Sequence, residues 1–399
     1  MARPAPLYNV NVRKLIINFT TKKLLSAIKL STAHNAIYSN KTLMKTAVTI
    51  SVQNISSHAL NANRKLEAEL LNNTKSKQHT RKVRHMDAYL VHYHLRKYDW
   101  KTIYFKMRCV LQEFAARAVG KASVHYNAVA IDFWSKGYYG DKNDKMVVTV
   151  NGQPGTKYGF KFLVATTTHP SVILDAIPVS QLQLSQKDDL VKQALTTVNR
   201  IFNNKKMLAL MDREFCDRNV FSAVLSMGHE FLVPAKWNIV ESAVREVDEG
   251  KRPSVSQYDY NGLQVWLIVV LRDENEESLR KKYQPFFSSL RLEPENASEL
   301  YSGRWNVENG IRDKNYYRVR TSTKNYVIRV FFFMLMFILY NVWRLLNFEI
   351  HERLKRAGLV KVDEPPGIYI QNNGLKHILL LYYGTVSGLD PPQYHADAM

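Results

Sequence analysis

The sequence of 399 residues predicts an α/β fold in which a mixed sheet is flanked by helices. From residue 125 onward, short apolar runs alternate first with turns and then with amphipathic segments, which is typical of strands joined by hairpins and later by helical crossovers. The composition, 46% hydrophobic and 23% charged, is that of a globular chain with a sizeable core. The two cysteines, Cys109 and Cys216, exclude a disulfide scaffold and a structural zinc cluster.

The first apolar runs predict an antiparallel meander, because only short turns separate them. They are AVAIDFW (128–134), MVVTV (146–150) with YGFKFLVATTT (158–168), and VILDAIPVS (172–180).

Helices then alternate with strands. The sequence predicts a helix over 188–202, a strand over 206–212, a helix over 217–228 and a strand over 230–237. A strand that arrives by a helical crossover lies parallel to a neighbour. If the crossover returns beside the first strand, Asp132 and Asp212 end adjacent strands, where ligand sites of such sheets are found.

Two later segments are interpreted from their pattern. Residues 236–298 predict a β-rich insertion, since Asn261-Gly262 between alternating apolar runs is a hairpin signal. The run VFFFMLMFILY (330–340) is shorter than the roughly 20 residues that a membrane-spanning helix needs. We therefore expect a buried core helix there and no membrane association.

The positive charge is concentrated at the start of the chain. Residues 1–120 hold 21 lysines and arginines against five acids, so they carry +16 of the formal net charge of +21. Such an excess indicates a polyanionic partner, and nucleic acid is the common one. Residues 1–120 are thus expected to form a mainly helical DNA-binding region, with two short helices over 41–66. Loosely ordered basic arms are the alternative.

A third acid lies on a predicted helix. Around Glu308, helical spacing places Tyr301, Arg304 and Arg312 on the same face. An exposed ladder of ion pairs, Arg304–Glu308–Arg312, is the alternative explanation of this spacing. Beside Asp132 and Asp212, however, a third carboxylate would require a divalent cation to offset the repulsion. Oxygen ligands without a cluster of cysteine or histidine suit Mg²⁺ or Mn²⁺.

The three acids in their contexts resemble a known catalytic set. Asp132 in AIDFW, Asp212 in LALMDREF and Glu308 in YSGRWNVENGIRDK resemble the Asp-Asp-Glu set of insertion-sequence (DDE) transposases with a ribonuclease H-like core. The group concerned has the signature Tyr-x2-Arg-x3-Glu-x6-Lys. Tyr301, Arg304 and Glu308 match its spacing. The lysine does not, because Asn315 stands at its position and Lys314 one residue earlier, so Lys314 or Arg312 would take that role.

The resemblance implies a cut-and-paste DNA transposase. It would cleave and transfer DNA strands with two Mg²⁺ (or Mn²⁺) ions held by Asp132, Asp212 and Glu308. Its partners would be double-stranded DNA, namely the terminal inverted repeats and a target, and a second copy of the chain in a synaptic homodimer. A cytoplasmic, nucleoid-associated location in a prokaryotic host is expected. The candidate DNA contacts are Tyr301, Arg304, Arg312, Lys314 and Arg213. For Arg213, the alternative role is a structural ion pair.

The corresponding domain organisation has four parts. They are a DNA-binding region (1–120), a ribonuclease H-like core (121–235 and 299–350), the β-rich insertion (236–298) and a C-terminal tail or subdomain (351–399). Two other functions stay open from the sequence. One is a decayed, non-enzymatic DNA-binding remnant of a transposon, and the other is a ribonuclease H-like nuclease or resolvase.

Overall fold

The structure, a computed structural model, describes residues 30, 38–53, 56–74, 87–122, 126–151, 155–314, 317–321, 323–361, 366–371, 375 and 379. For 67–74 and 305–314 it describes the helical backbone only. The chain forms two compact units. One comprises Met1–Ala122 with Asp313–Met399, and the other comprises Ser123–Arg312.

The helices of the described residues are α1 (Asn40–Gln53), α2 (Ser57–Thr74), α3 (Tyr89–Leu95), α4 (Trp100–Lys121), α5 (Gln181–Leu184), α6 (Lys187–Ile201), α7 (Arg218–Ser226), α8 (Trp237–Asp248), α9 (Leu279–Lys282), α10 (Pro294–Lys314) and α11 (Tyr326–Arg356). The strands are β1 (Ala128–Gly137), β2 (Val148–Thr149), β3 (Tyr158–Thr167), β4 (Ile173–Val179), β5 (Leu208–Met211), β6 (Glu230–Pro234), β7 (Val255–Tyr260), β8 (Leu263–Leu271) and β9 (Tyr283–Ser288). A 3₁₀ turn, Arg213–Phe215, follows β5.

Helices α1 to α4 and α11 build the first unit, and α11 packs along α4. The Asp99 side chain caps α4 by accepting a hydrogen bond from the Thr102 amide at 2.9 Å. Helix α11 is long and apolar enough to cross a membrane, but 94% of its most apolar stretch is buried inside the protein. Burial of this kind is typical of a core helix, as the sequence predicts for residues 330–340.

The second unit is built on one mixed sheet. Its strand order is β2-β3-β1-β5-β6-β9-β8-β7, and β4 also pairs with β3. β1 runs antiparallel to β3 and parallel to β5, and β5 runs parallel to β6. The predicted fold class, a mixed sheet with flanking helices, is confirmed.

Two parts of the chain differ from the expected organisation. Residues 236–298 begin with α8, and their strands β7 to β9 continue the main sheet through the pairing of β6 with β9. The sheet is therefore extended at its edge, and the hairpin at Asn261-Gly262 forms as predicted. Helix α11, expected in the core with 299–350, belongs to the helical unit because its apolar surface packs on α4.

A buried histidine lies in the helical unit. His92 Nε2 is 2.9 Å from Ser57 Oγ, and its ring makes an edge contact with Phe332, with 6.1 Å between ring centroids. Burial lowers the pKa of His92 to about 4, with Arg96 acting in the same direction and Asp87 against it. The imidazole is therefore neutral at pH 7.

Acidification should destabilise this unit through His92. Because the folded-state pKa is below the unfolded value, this contribution is complete above about pH 6.5 and lost as the pH falls to about 4, a change of about 3 kcal/mol in the free energy of unfolding. Denaturant unfolding of the full chain between pH 7 and pH 4 measures it. His92→Asn should flatten that pH dependence, whereas the exposed His58→Asn should not. An unchanged pH dependence in His92→Asn would contradict the assignment.

Candidate active site

Two aspartates lie beside each other on adjacent parallel strands, Asp132 within β1 and Asp212 directly after β5. The pairing of β1 with β5 runs from Ala128 opposite Leu208 to Ile131 opposite Met211. Asp132 and Asp212 each come next, so they lie at the same level of the sheet. Because neighbouring strands are about 4.8 Å apart, the two carboxylates are within reach of a shared cation. The predicted adjacency of Asp132 and Asp212 is confirmed, but only Asp212 ends its strand, because β1 continues past Asp132 to Gly137 in its pairing with β3.

Both aspartates emerge on the face that α10 covers. Ala130 of β1 and Leu210 of β5 share a buried cluster with Tyr301 of α10. Side chains alternate between the two faces of a sheet, so the residues two positions further on return to the same face. Asp132 and Asp212 therefore point toward α10.

Each carboxylate is oriented by its own backbone. Asp132 Oδ1 accepts a hydrogen bond from the Phe133 amide at 2.7 Å. Asp212 Oδ1 accepts one from the Arg213 amide at 2.5 Å, and Asp212 is the extended residue that precedes the 3₁₀ turn. Both side chains are partly buried, so their negative charges are only partly screened by water.

Arg304 of α10 compensates one of these charges. Its Nη1 atom donates to Asp132 Oδ2 at 2.9 Å. The side chains are 9% and 16% exposed, which makes this ion pair the least exposed one of the described residues. The Arg304 guanidinium therefore offsets part of the negative charge that the two aspartates bring together.

Tyr301 lies one turn before Arg304 on the same helix. Its ring is 5.0 Å from that of Phe286, between centroids, and Arg304 Cζ is 5.2 Å from the Tyr301 centroid. Burial raises the pKa of Tyr301 to about 12, and the charges of Asp212 and Asp132 add to the rise while Arg304 opposes it. The phenol is therefore protonated at neutral pH and can donate a hydrogen bond.

For most of the other residues predicted from the sequence, the structure describes the backbone but not the side chain. Helix α10 continues through Glu308, Arg312 and Lys314, whose side chains lie outside the described ones. Glu308 is four residues after Arg304, about one turn further along the helix. Arg213 is exposed and follows Asp212 directly. Within the side chains that the structure does describe, no group of three or more potential metal ligands comes together.

Sequence reasoning missed two features of the site. It assigned Arg304 to DNA phosphates and did not foresee its contact with Asp132. It also missed the aromatic stack of Phe133 on Phe215 behind the acids, with 4.7 Å between ring centroids. The available signal was that a phenylalanine follows Asp132 by one residue and Asp212 by three.

The site thus consists of two acids side by side on adjacent parallel strands of a mixed sheet, with a helix packed over them. The model of the transposase DDE domain matches residues 140–342, just over half of the chain. This chain belongs to that family. Asp212, Tyr301, Arg304 and Glu308 lie inside the matched segment, and Asp132 lies eight residues before it.

A solved structure gives the same indication at the level of the fold. The chain is similar to the piggyBac transposase in the cryo-EM structure of its synaptic complex with hairpin DNA, with a TM-score of 0.54 and 12% identity. The similarity covers 94% of this chain and 78% of that one. At such low identity it shows the fold alone. No curated protein sequence matches this chain.

Removing the Arg304 guanidinium should destabilise the protein when divalent ions are absent. Arg304→Met leaves Asp132 partly buried and uncompensated beside Asp212, which should cost about 3 kcal/mol. Thermal unfolding with EDTA, and again with Mg²⁺, measures this. We expect Mg²⁺ to raise the unfolding temperature of Arg304→Met more than that of the wild type.

The exposed Arg218 of the same unit provides the control, because Arg218→Met removes the same charge away from the acids. Equal unfolding temperatures for Arg304→Met and the wild type in EDTA would show that the ion pair contributes nothing.

Proposed function

We propose that this chain is a metal-dependent transposase that cuts DNA strands at transposon ends and joins them to target DNA. The observation that carries the proposal is the register of β1 and β5, which sets Asp132 beside Asp212 beneath α10, the helix that contains Glu308. Membership of the transposase DDE domain family supports this chemistry.

Asp132, Asp212 and Glu308 would hold two Mg²⁺ (or Mn²⁺) ions. Carboxylate oxygens are the ligands that these ions prefer. The contact of Arg304 with Asp132 at 2.9 Å supports the fit, because it shows a positive charge held at one of the proposed ligands. When bound, such ions activate the attacking oxygen and stabilise the leaving oxygen of a phosphodiester.

The residues around the acids would bind and orient the DNA strand. Tyr301, protonated at neutral pH, can donate its hydroxyl proton to a phosphate oxygen. Arg304, Arg213 and either Arg312 or Lys314 would supply positive charge to the same phosphates. No covalent bond to the protein is needed, since water or a DNA 3′-hydroxyl is the nucleophile in each in-line transfer.

DNA would be bound mainly by the basic first third of the chain. The similar piggyBac structure is a synaptic complex with hairpin DNA, which supports DNA as a partner here. The terminal inverted repeats and a target would be the DNA that is bound. Two ends must be held together, so we propose a homodimer in that complex. The chain would act in the cytoplasm of a prokaryotic host, in association with the nucleoid.

The described part of that region offers a suitable surface. From α3 to the first turns of α4, exposed lysine and arginine side chains alternate with exposed aromatic rings. Lys97 Nζ lies 4.3 Å from the Tyr93 ring centroid. Lysine and arginine side chains bind phosphates, and aromatic rings stack on nucleobases. The exposed residues are Tyr93, Arg96, Lys97, Lys101 and Phe105.

Neutralising any one of the three acids should abolish strand cleavage. We expect Asp132→Asn, Asp212→Asn and Glu308→Gln each to lower the rate by about 1,000-fold or more, equivalent to about 4 kcal/mol of transition-state stabilisation. DNA end binding, measured without divalent ions, should be nearly unchanged. The assay uses DNA that carries the inverted repeats flanking the gene, with Mg²⁺ as the metal.

Matched variants and substrates make the test decisive. Asp189→Asn and Glu299→Gln change exposed acids of the same unit and should retain activity. Cleavage without preference for the terminal repeats would favour a nuclease. Specific binding without cleavage by the wild type would favour a decayed, non-enzymatic remnant.

The salt dependence of DNA binding should report the basic surface. Each lysine that neutralises a phosphate contributes roughly one to the slope of log K against log salt concentration. Lys97→Gln with Lys101→Gln should therefore lower the slope by about one to two, as measured by fluorescence anisotropy with terminal-repeat DNA. Lys251→Gln with Lys281→Gln removes the same charge from the other unit. If both pairs of substitutions lower the salt slope equally, the net charge of the protein alone determines the slope, and the surface around Lys97 and Lys101 is not the DNA contact.

A further inference from the structure

The pairing of β1 with β5 stops one residue before the acids. Its last partners are Ile131 and Met211, after which the chain at Asp212 leaves the sheet and enters the 3₁₀ turn. The spacing of Asp132 and Asp212 is therefore not fixed by the sheet's own hydrogen bonds. Two like charges at this point repel each other, so contacts beyond the ladder must hold the two strand ends together.

Such contacts exist on the opposite face of the sheet. Phe133, the residue after Asp132, points away from α10 because side chains alternate along β1. Phe215 ends the 3₁₀ turn after Asp212, is fully buried, and stacks on Phe133 with 4.7 Å between centroids and 19° between planes. This stack joins the segment after the first acid directly to the segment after the second.

Two lysines complete the connection through Glu214, the middle residue of the 3₁₀ turn. Lys161 Nζ on β3 donates to Glu214 Oε1 at 3.0 Å, and it also lies 4.1 Å from the Phe133 ring centroid. Lys187 Nζ, at the start of α6, donates to the Glu214 main-chain carbonyl at 2.8 Å. One ammonium group therefore touches both segments, and a second fixes the backbone two residues after Asp212.

We propose that Phe133, Lys161, Lys187, Glu214 and Phe215 form a rear brace that sets the separation of Asp132 and Asp212 for the metal ions. This inference rests on the proposed function, in which those acids are metal ligands. Lys161 and Glu214 are positioning residues, because they act through the acids and lie on the other face of the sheet. Contacts that orient metal ligands typically change affinity or activity by 10- to 100-fold when they are lost.

The geometry distinguishes the brace from an ordinary surface ion pair. The Glu214 side chain is 40% exposed, but the Lys161 side chain is only 11% exposed, and its ammonium is shared between a carboxylate and an aromatic face. A pair on α6, Asp188 with Lys192, has side chains that are 31% and 43% exposed, charged atoms 3.9 Å apart and no aromatic partner among the described contacts. Pairs of that second kind contribute little to stability, so Asp188→Asn is the matched control.

The test is a Mn²⁺ titration of the full-length protein, followed by water proton relaxation, together with the Mg²⁺ dependence of cleavage of terminal-repeat DNA. Glu214→Gln should raise the Mn²⁺ dissociation constant and the Mg²⁺ concentration for half-maximal cleavage by about tenfold or more. Lys161→Met should do the same, because it keeps the length of the side chain but removes the charge. Lys161→Arg, which keeps the charge, and Asp188→Asn should behave as the wild type.

The combination of the first two changes adds a sharper readout. Since both changes remove the Lys161–Glu214 contact, the effect of Glu214→Gln with Lys161→Met should be smaller than the sum of the two single effects. End binding without divalent ions should stay at the wild-type level in all variants. If Glu214→Gln does not fold, the Mn²⁺ affinities of Lys161→Met and Lys161→Arg test the brace, because only Lys161→Met should bind Mn²⁺ more weakly than the wild type.

Failure of the brace and failure of the proposed function give different results. Wild-type metal affinity in both Glu214→Gln and Lys161→Met, while Asp212→Asn loses it, would overturn the brace alone. If Asp132→Asn and Asp212→Asn bind Mn²⁺ as tightly as the wild type, the acids are not ligands, and the proposed function fails with the inference that rests on it.

Discussion

The parallel pairing of β1 with β5 is the constraint on which the site depends. It brings Asp132 and Asp212 to the same level of two neighbouring strands, on the face that α10 covers. At about 5 Å, two carboxylates repel each other by about 3 kcal/mol at an effective dielectric constant near 20. A fold that holds this arrangement must compensate the repulsion, and the surrounding contacts do so on both faces of the sheet.

The two faces solve different parts of the problem. On the α10 face, Arg304 supplies a positive charge to Asp132, while the apolar contact of Tyr301 with the sheet fixes the helix that carries it. On the other face, a stack and two lysine contacts tie the strand ends together, as Lys161 and Glu214 show. The charge of Asp132 is thus compensated on the α10 face, which a ligand can reach. The spacing of Asp132 and Asp212 is set on the opposite face, which a ligand does not reach.

Much of this organisation was predictable from the sequence. The order of apolar runs required β5 to be parallel to a neighbour, and the acid at the end of each run identified Asp132 and Asp212. Other features had no local signal. Lys161 and Glu214 are 53 residues apart, so no periodicity marks their contact. The pairing of β6 with β9 follows from edge hydrogen bonds that the pattern of 236–298 does not encode, and the assignment of α11 depends on which apolar surface it meets.

In the proposed function, the charge distribution would assign chemistry and DNA affinity to different parts of the chain. The described site has two carboxylates and one guanidinium, so it stays net negative and attracts cations in preference to a bare phosphate. In the proposed function, DNA would therefore be attracted elsewhere, and the first 120 residues, with +16 of the net charge of +21, would supply that attraction. In the proposed function, divalent ions at this net-negative site would also offset its repulsion of the scissile phosphodiester, whereas the basic first third would hold the DNA ends without them.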